Sequence, residues 1–244
     1  MSDVTEPRRA AKRIGHKGAD LISPGNTLES FDAALAAGVD MVEFDVLPER
    51  PDGSGRLVLA HDFAAAARET ALTLEEGLAH FAQDAWAEVE LNVDLKVSGY
   101  ERRVVDALRE HGLAARALLS TMEEDSLREL RRAAPDVRIG WSVPKIRRNP
   151  LSNRWTRIPA MILAQYAQRV LPGRAAAAIR DGRIDALMCH WALVSARLVR
   201  AIDEAGGELY VWTVDDAERI AKLERLGVTG IITNDPRLFG AATA

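Results

Sequence analysis

Glu43 and Asp45 stand two residues apart in "VEFDV", and the same spacing returns in "ELNVDLK", where Glu90, Asn92, Asp94 and Lys96 alternate with Leu91, Val93 and Leu95. In extended backbone successive side chains point to opposite faces, so each run presents one polar face and one apolar face. Glu43, Asp45 and Asp94 gathered in a poorly solvated place could not all stay ionised without a compensating cation. A hard divalent ion would satisfy them, and all-oxygen ligation indicates Mg2+ or Ca2+ rather than zinc. Salt bridging by Lys96 and Lys17 without metal is the alternative. His16 closes "KRIGH" and His61 closes "RLVLAH". Imidazole changes charge near neutral pH, so two histidines beside an acidic cluster suit paired general acid and base work. His190, at the end of "DALMCH", is the weaker candidate, and His80 and His111 read as helix-surface residues.

Short apolar runs alternate with helical patterns almost to the end of the chain, which argues for βα units around a parallel sheet. The strand candidates are "KRIGH", "DMVEFDV", "RLVLAH", "VELNVDLK", "ALLST", "VRIGWSV", "DALMCH", "LYVWTV" and "TGIIT". A closed (β/α)8 barrel, of the TIM type, fits this order and length better than an open sheet, and its strand ends are where barrel enzymes keep reactive side chains. One strand is then surplus. The join from "VEFDV" to "RLVLAHD" is the turn-rich "LPERPDGSG" without a helix, so "RLVLAH" is expected as a hairpin arm after strand two, over the barrel mouth. Helix starts are marked by Asn26-x-x-Glu29, Thr73-x-x-Glu76 and Asp215-x-x-Glu218, each a cap paired with a carboxylate three residues on. Gly38 and Gly227 sit where a left-handed residue would close a helix. Leu28, Phe31 and Leu35 form one apolar stripe.

The chain has 244 residues, is 48% hydrophobic and carries a formal net charge of −4, so it can bury a core as a single domain over 1–244, and no global charge recruits nucleic acid. Its one cysteine, Cys189, allows no intrachain disulfide and no thiolate metal cluster, and fits a reducing compartment. With a polar N-terminus and no run approaching a membrane span, the expected location is cytoplasmic. Local charge is uneven. The segment 145–183 holds Lys145, Arg147, Arg148, Arg154, Arg157, Arg169, Arg174, Arg180 and Arg183 against the acid Asp181. It reads as a solvated basic helix and loop, as a lid for an anionic substrate or lipid headgroup, or as a surface for transient membrane contact.

In order along the chain, "HKGA", "PGNTLESFDAAL", "VEFDV", "LVLAHD", "LNVDLK" and "VWTVDDAERIAKLERLGVTGIITNDP" resemble the glycerophosphodiester phosphodiesterase family. That family's pattern reads H-R-G, P-E-N-T, V-E-x-D-V, V-x-H-D, L-x-x-E-x-K and W-T-V-N…G-V-D-G-I-I-T-D. The resemblance implies a (β/α)8 TIM barrel of the phospholipase-C-like phosphodiesterase type. It also implies a metal-dependent hydrolase of lipid and glycerol metabolism that converts small glycerophosphodiesters to glycerol 3-phosphate and an alcohol. Carried over by position, His16 and His61 match the acid/base pair, and Glu43 and Asp45 match metal ligands. Asp94 falls where the family has a ligating glutamate, Lys96 matches a phosphate-contacting lysine, and Trp212 matches a late tryptophan. Trp212 is read either as a wall of the substrate pocket or as core.

Four departures stand out. Lys17 replaces an arginine, which keeps the charge but loses the planar fork. Gly25 stands where the family has glutamate, and Asp94 is one methylene short, as in the related sphingomyelinase D-like lyases. Only "FAAAARETAL" separates Asp62 from the next helix, where many relatives carry an insertion. A lysophospholipase D- or sphingomyelinase D-like lyase that releases a cyclic phosphate, and a non-catalytic phosphodiester-binding barrel, are the alternatives.

Overall fold

The computed structural model describes residues 10–68, 70–145 and 157–241. Its strands are β1 (Lys12–Gly15), β2 (Met41–Pro48), β3 (Leu57–Val58), β4 (Glu90–Leu95), β5 (Ala117–Thr121), β6 (Arg138–Val143), β7 (Ala186–His190), β8 (Glu208–Trp212) and β9 (Gly230–Thr233). Each matches a strand expected from the sequence. Eight of them pair in parallel in the order β1-β9-β8-β7-β6-β5-β4-β2, and the β1–β2 pairing closes the ring into a (β/α)8 barrel. The ninth, β3, pairs antiparallel with β2 through Leu47↔Val58 and Pro48↔Leu57, which is the expected hairpin arm.

The helices are α1 (Leu28–Ala36), α2 (Phe63–Ala66), α3 (Leu74–Phe81), α4 (Glu101–Glu110), α5 (Glu124–Ala133), α6 (Arg157–Arg180), α7 (Ala196–Asp203), α8 (Ala217–Leu226) and α9 (Leu238–Ala241). The cap expected at Thr73 forms as a complete capping box with Glu76. The other two do not. Thr27 rather than Asn26 caps α1 by accepting from Ser30 N, and Asp216 rather than Asp215 caps α8 by accepting from Arg219 N. Asn26 and Asp215 are drawn off by tertiary partners. Gly38 and Gly227 take the positive φ values of 74° and 83° that the helix ends require.

Apolar packing holds β2 in place from behind. Phe31 of α1, Phe44 of β2 and Phe81 of α3 are fully buried, with ring centroids 6.0 Å (Phe31–Phe44), 5.1 Å (Phe44–Phe81) and 4.8 Å (Phe31–Phe81) apart. Such pairs add about 0.5–1.5 kcal/mol each beyond area burial. Leu28 and Leu35 pack at the edge of the same cluster. Phe44 faces this layer, so its neighbours Glu43 and Asp45 must face the barrel interior.

The interior is layered. At the N-terminal end Glu90 bonds Lys12 and Arg138, and Arg138 also reaches Glu208. Above lies an apolar plug of Ile14, Met41, Leu118, Ala186, Met188, Tyr210 and Ile232. Polar side chains therefore collect at the C-terminal mouth. Cys189 is buried, which pushes its thiol up to about 12, so it behaves as a small core residue.

Within the basic segment, residues 146–156, including Arg147, Arg148 and Arg154, lie outside the described residues. Lys145 pairs with Glu123, Arg174 approaches Glu124 at 3.9 Å, and Arg183 pairs with Asp181. The acids that balance these cations thus come partly from α5 and the residue before it. No helix among the described residues is long and apolar enough to cross a membrane.

Candidate active site

Strand register assembles the acidic cluster. In the β2–β4 ladder Glu43 stands opposite Asn92 and Asp45 opposite Asp94, while β4–β5 sets Asp94 opposite Ser120. Asp45 and Asp94 are therefore cross-strand neighbours on one face, a placement that like charges resist. One oxygen from each of Glu43, Asp45 and Asp94 lies within 4.8 Å of the other two. Lys96 sits among them, with Nζ 2.6 Å from Asp94 Oδ2 and 2.5 Å from Asp45 Oδ1. One ammonium cannot balance three carboxyl groups if all of them ionise.

The protonation equilibria respond to that crowding. Burial and then the charge of Asp45 push Glu43 well above the ordinary carboxylate range. Burial works against ionisation of Asp45 as well, but Lys96 and the bond to His61 hold it well below that range. Burial also works to lower Lys96, yet Asp94, Asp45 and Glu43 keep its ammonium firmly protonated. A divalent cation would reverse the penalty on Glu43. The donor set fits one: three hard oxygens converge, and Asp45 Oδ1 is buried, faces Lys96 at short range and accepts no well-directed hydrogen bond.

Both histidines reach this cluster. His16 follows β1, its Nδ1 is 2.5 Å from Asn234 Oδ1, and its Nε2 is 3.8 Å from Glu43 Oε2. Burial is the main influence lowering its pKa, opposed by the charge of Asp45 and the bond to Asn234. His61 follows the hairpin arm, with Nδ1 3.3 Å from Asp45 Oδ2 and 59% of its side chain exposed. A cavity of about 200 Å³ is bounded by both histidines together with Glu43, Asp94, Lys96 and Trp212. Trp212 is thus on the cavity wall, its indole Nε1 without a partner among the described residues.

Lys17 stands apart. Its Nζ turns to Asp20 Oδ2 at 3.2 Å, and it does not border the cavity. What it gives the cluster is its backbone: at φ 50° its amide donates to Glu43 Oε2 at 2.9 Å. Asp20 also accepts from Gly25 N at 2.8 Å, and a Cβ on Gly25 would lie 2.6 Å from Asp20 Oδ1 and 2.8 Å from Lys17 Cβ. Glycine at 25 and the Lys17–Asp20 pair therefore go together. His190 is engaged elsewhere, accepting from Ala192 N and packing edge-on against Trp212.

Several partners are not identifiable from the sequence. Buried Asn26, at φ 61°, donates from Nδ2 to Asp45 Oδ2 at 3.0 Å and accepts from Asp45 N at 3.1 Å. Ser120 donates to Asp94 Oδ1 at 2.7 Å and receives Asn92 Nδ2. Tyr100 donates to Val46 O and accepts from Lys96 N, which ties the ends of β2 and β4 together. The polar end of "ALLST" is the one signal in the sequence that could have pointed to Ser120; the rest depends on tertiary neighbours. Two imidazoles, a lysine and three carboxylates around one small cavity can move protons, bind an anion and hold a hard cation.

Comparison with known proteins finds similarity over nearly the whole chain. The family model described as the glycerophosphoryl diester phosphodiesterase family matches residues 16–71 and 65–238. A glycerophosphodiester phosphodiesterase of Caldanaerobacter subterraneus subsp. tengcongensis is 24% identical over 91% of this chain and 93% of its own length. The crystal structure of a glycerophosphodiester phosphodiesterase from Parabacteroides distasonis superposes with a TM-score of 0.71 at 19% identity, covering 97% of this chain and 100% of the other. An Oleispira antarctica phosphodiesterase, solved with the product sn-glycerol-3-phosphate, gives 0.68 at 20% identity over 96% of each chain.

Proposed function

The chain belongs to the glycerophosphoryl diester phosphodiesterase family, and from that premise we propose that it acts as one barrel domain over 1–244, hydrolysing small glycerophosphodiesters to glycerol 3-phosphate and an alcohol. The observation that carries this reading is the cavity bounded by His16, His61, Glu43, Asp94, Lys96 and Trp212. Glu43, Asp45 and Asp94 are the ligands for Mg2+ or Ca2+, which when bound supplies charge neutralisation and polarisation of a phosphoryl oxygen.

His16 is the starting base. Its Nδ1 is occupied by Asn234, so Nε2 is the nitrogen free to take the proton of the glycerol hydroxyl next to phosphorus. As that hydroxyl oxygen bonds to phosphorus, the bond to the alcohol breaks, and the exposed His61 gives its proton to the departing oxygen. The cyclic phosphate is then opened by water with the two roles reversed: His61 takes a proton from water and His16 returns one to the glycerol oxygen. Lys96 offers positive charge to the phosphate and the Trp212 ring bounds the substrate, while Lys17, expected from the sequence to contact substrate, acts instead through its backbone amide on Glu43 because its ammonium is paired with Asp20.

The test is turnover of several glycerophosphodiesters and a lysophospholipid with Mg2+, Ca2+ and chelator in parallel. Activity with a divalent ion and its loss with chelator is expected, and inactivity on every substrate overturns the reading. Asp94 supports a second reading, in which the reaction stops at the cyclic phosphate as in the lyases it resembles at that position; phosphorus NMR of the product separates the two.

A further inference from the structure

Asp215, the cap expected for α8, turns instead toward the end of β9. The register Gly15↔Thr233 in the β1–β9 ladder places the next residues, His16 and Asn234, side by side. Asp215 follows β8 and wraps residue 234: Oδ1 accepts from Asn234 N at 2.8 Å and from Thr233 Oγ1 at 3.0 Å, and Oδ2 accepts from Asn234 Nδ2 at 2.6 Å.

These contacts fix hydrogen positions by chemistry alone. A carboxylate oxygen only accepts, so the atom of Asn234 that meets Asp215 Oδ2 must be the amide nitrogen. The amide oxygen then faces His16 Nδ1 at 2.5 Å. A carbonyl oxygen also only accepts, so Nδ1 must carry the hydrogen, and in the neutral ring Nε2 holds the lone pair. We propose that Asp215 is a positioning residue which, by orienting the amide of Asn234, sets the tautomer of His16 and leaves Nε2 unprotonated toward the cavity. This rests on the reading of His16 as the base.

Single substitutions break the logic and the double exchange restores it. In Asp215→Asn the new Oδ1 can still accept from Asn234 N and Thr233 Oγ1, but its Nδ2 opposes Asn234 Nδ2. Turning the Asn234 amide relieves that clash and points an N–H at His16 Nδ1. His16 must then accept at Nδ1 and carry its hydrogen on Nε2, where a base is needed. In Asn234→Asp two carboxylates meet at the 2.6 Å contact. In the double variant Asp215→Asn/Asn234→Asp the carboxylate at position 234 accepts both from His16 Nδ1 and from the new amide at position 215. No donor then faces another donor, and His16 keeps its hydrogen on Nδ1.

The test is long-range proton–nitrogen NMR of the His16 ring in the full chain, assigned with His16→Gln, alongside steady-state kinetics. The wild type is expected to show hydrogen on Nδ1, and Asp215→Asn to show it on Nε2 with kcat reduced about 10²-fold or more and KM changed less than about 3-fold. The double variant is expected to return the wild-type tautomer and recover kcat to within about 10-fold of wild type. An unchanged His16 tautomer in Asp215→Asn, or a double variant no better than the single, overturns the inference. A changed tautomer with turnover intact upholds tautomer control by Asp215 and overturns instead the assignment of His16 as the base.

Discussion

Asn26 joins the first loop to the metal-ligand candidate Asp45, and removing its side chain should be felt in both stability and cation affinity. Asn26→Gly deletes the bond to Asp45 Oδ2 and leaves Asp45 N without its acceptor, both in a buried setting. A hydrogen bond to a charged group contributes about 1.5–3 kcal/mol, and an unsatisfied buried amide costs about 1–3 kcal/mol. The expected loss is therefore about 3–5 kcal/mol in the metal-free protein. Asn26→Ala should be worse still by about 1 kcal/mol, because φ is 61° and a Cβ is strained there. Glycine outranking alanine is the reverse of their usual order in regular structure. With Asp45 less firmly oriented, affinity for the divalent cation should fall about 10- to 100-fold. Urea unfolding of the metal-free variants and calorimetric titration with Mg2+ and Ca2+ measure the two effects. A loss below about 1 kcal/mol together with affinity within about 2-fold of wild type would refute the claim that Asn26 organises this carboxylate.

Replacement of His61 by alanine should leave a folded, cation-binding protein whose kcat falls about 10²- to 10⁴-fold; near-normal turnover removes His61 from the mechanism. Glu90→Gln should cost about 1–2 kcal/mol at about pH 7 after allowance for solvent screening, since Lys12 and Arg138 both lean on that carboxylate. Burial opposes ionisation of Glu90, but Lys12 and Arg138 lower its folded pKa overall. Its contribution is then present above the unfolded value of about 4.3 and disappears as pH falls through the folded value. Wild type and Glu90→Gln should accordingly converge in stability once pH has fallen through the folded value, and a gap that persists in strong acid contradicts this. Phosphorus NMR of the wild-type reaction should show glycerol 3-phosphate at completion; a cyclic ester that persists supports the lyase reading.

The barrel and its acidic face are legible in the sequence because both depend on period two. Once "VEFDV" and "ELNVDLK" are strands of one sheet with both apolar faces turned to the helices, Glu43, Asp45, Asp94 and Lys96 share the opposite side. His16 and His61 are legible as strand-end residues. The pairing of Lys17 with Asp20 is not, because positions three apart outside a helix imply no contact. Nothing local could show that a Cβ at residue 25 meets that pair. Whether Trp212 is core or wall depends on where the apolar plug stops, which only the assembled interior decides.

The two displaced caps share one physical cause. Asparagine and aspartate before a helix offer the same short polar side chain to the first free amides of the helix and to any tertiary group in reach. At both sites the adjacent residue, Thr27 or Asp216, can cap instead, so the helix loses little when Asn26 or Asp215 turns away. The tertiary partners are the stronger claimants: a buried carboxylate for Asn26, and an amide already committed to an imidazole for Asp215. A doubled cap signal, "NT" or "DD", in the connection from a barrel strand to its helix therefore has a structural reading. One residue serves the helix while its neighbour is released to orient the chemistry at the mouth. Thr27→Ala separates the two duties. It should cost about 1 kcal/mol of stability as a cap while leaving Asp45 and the cation affinity as they are, and a drop in affinity comparable to that of Asn26→Gly would show that the duties are not divided.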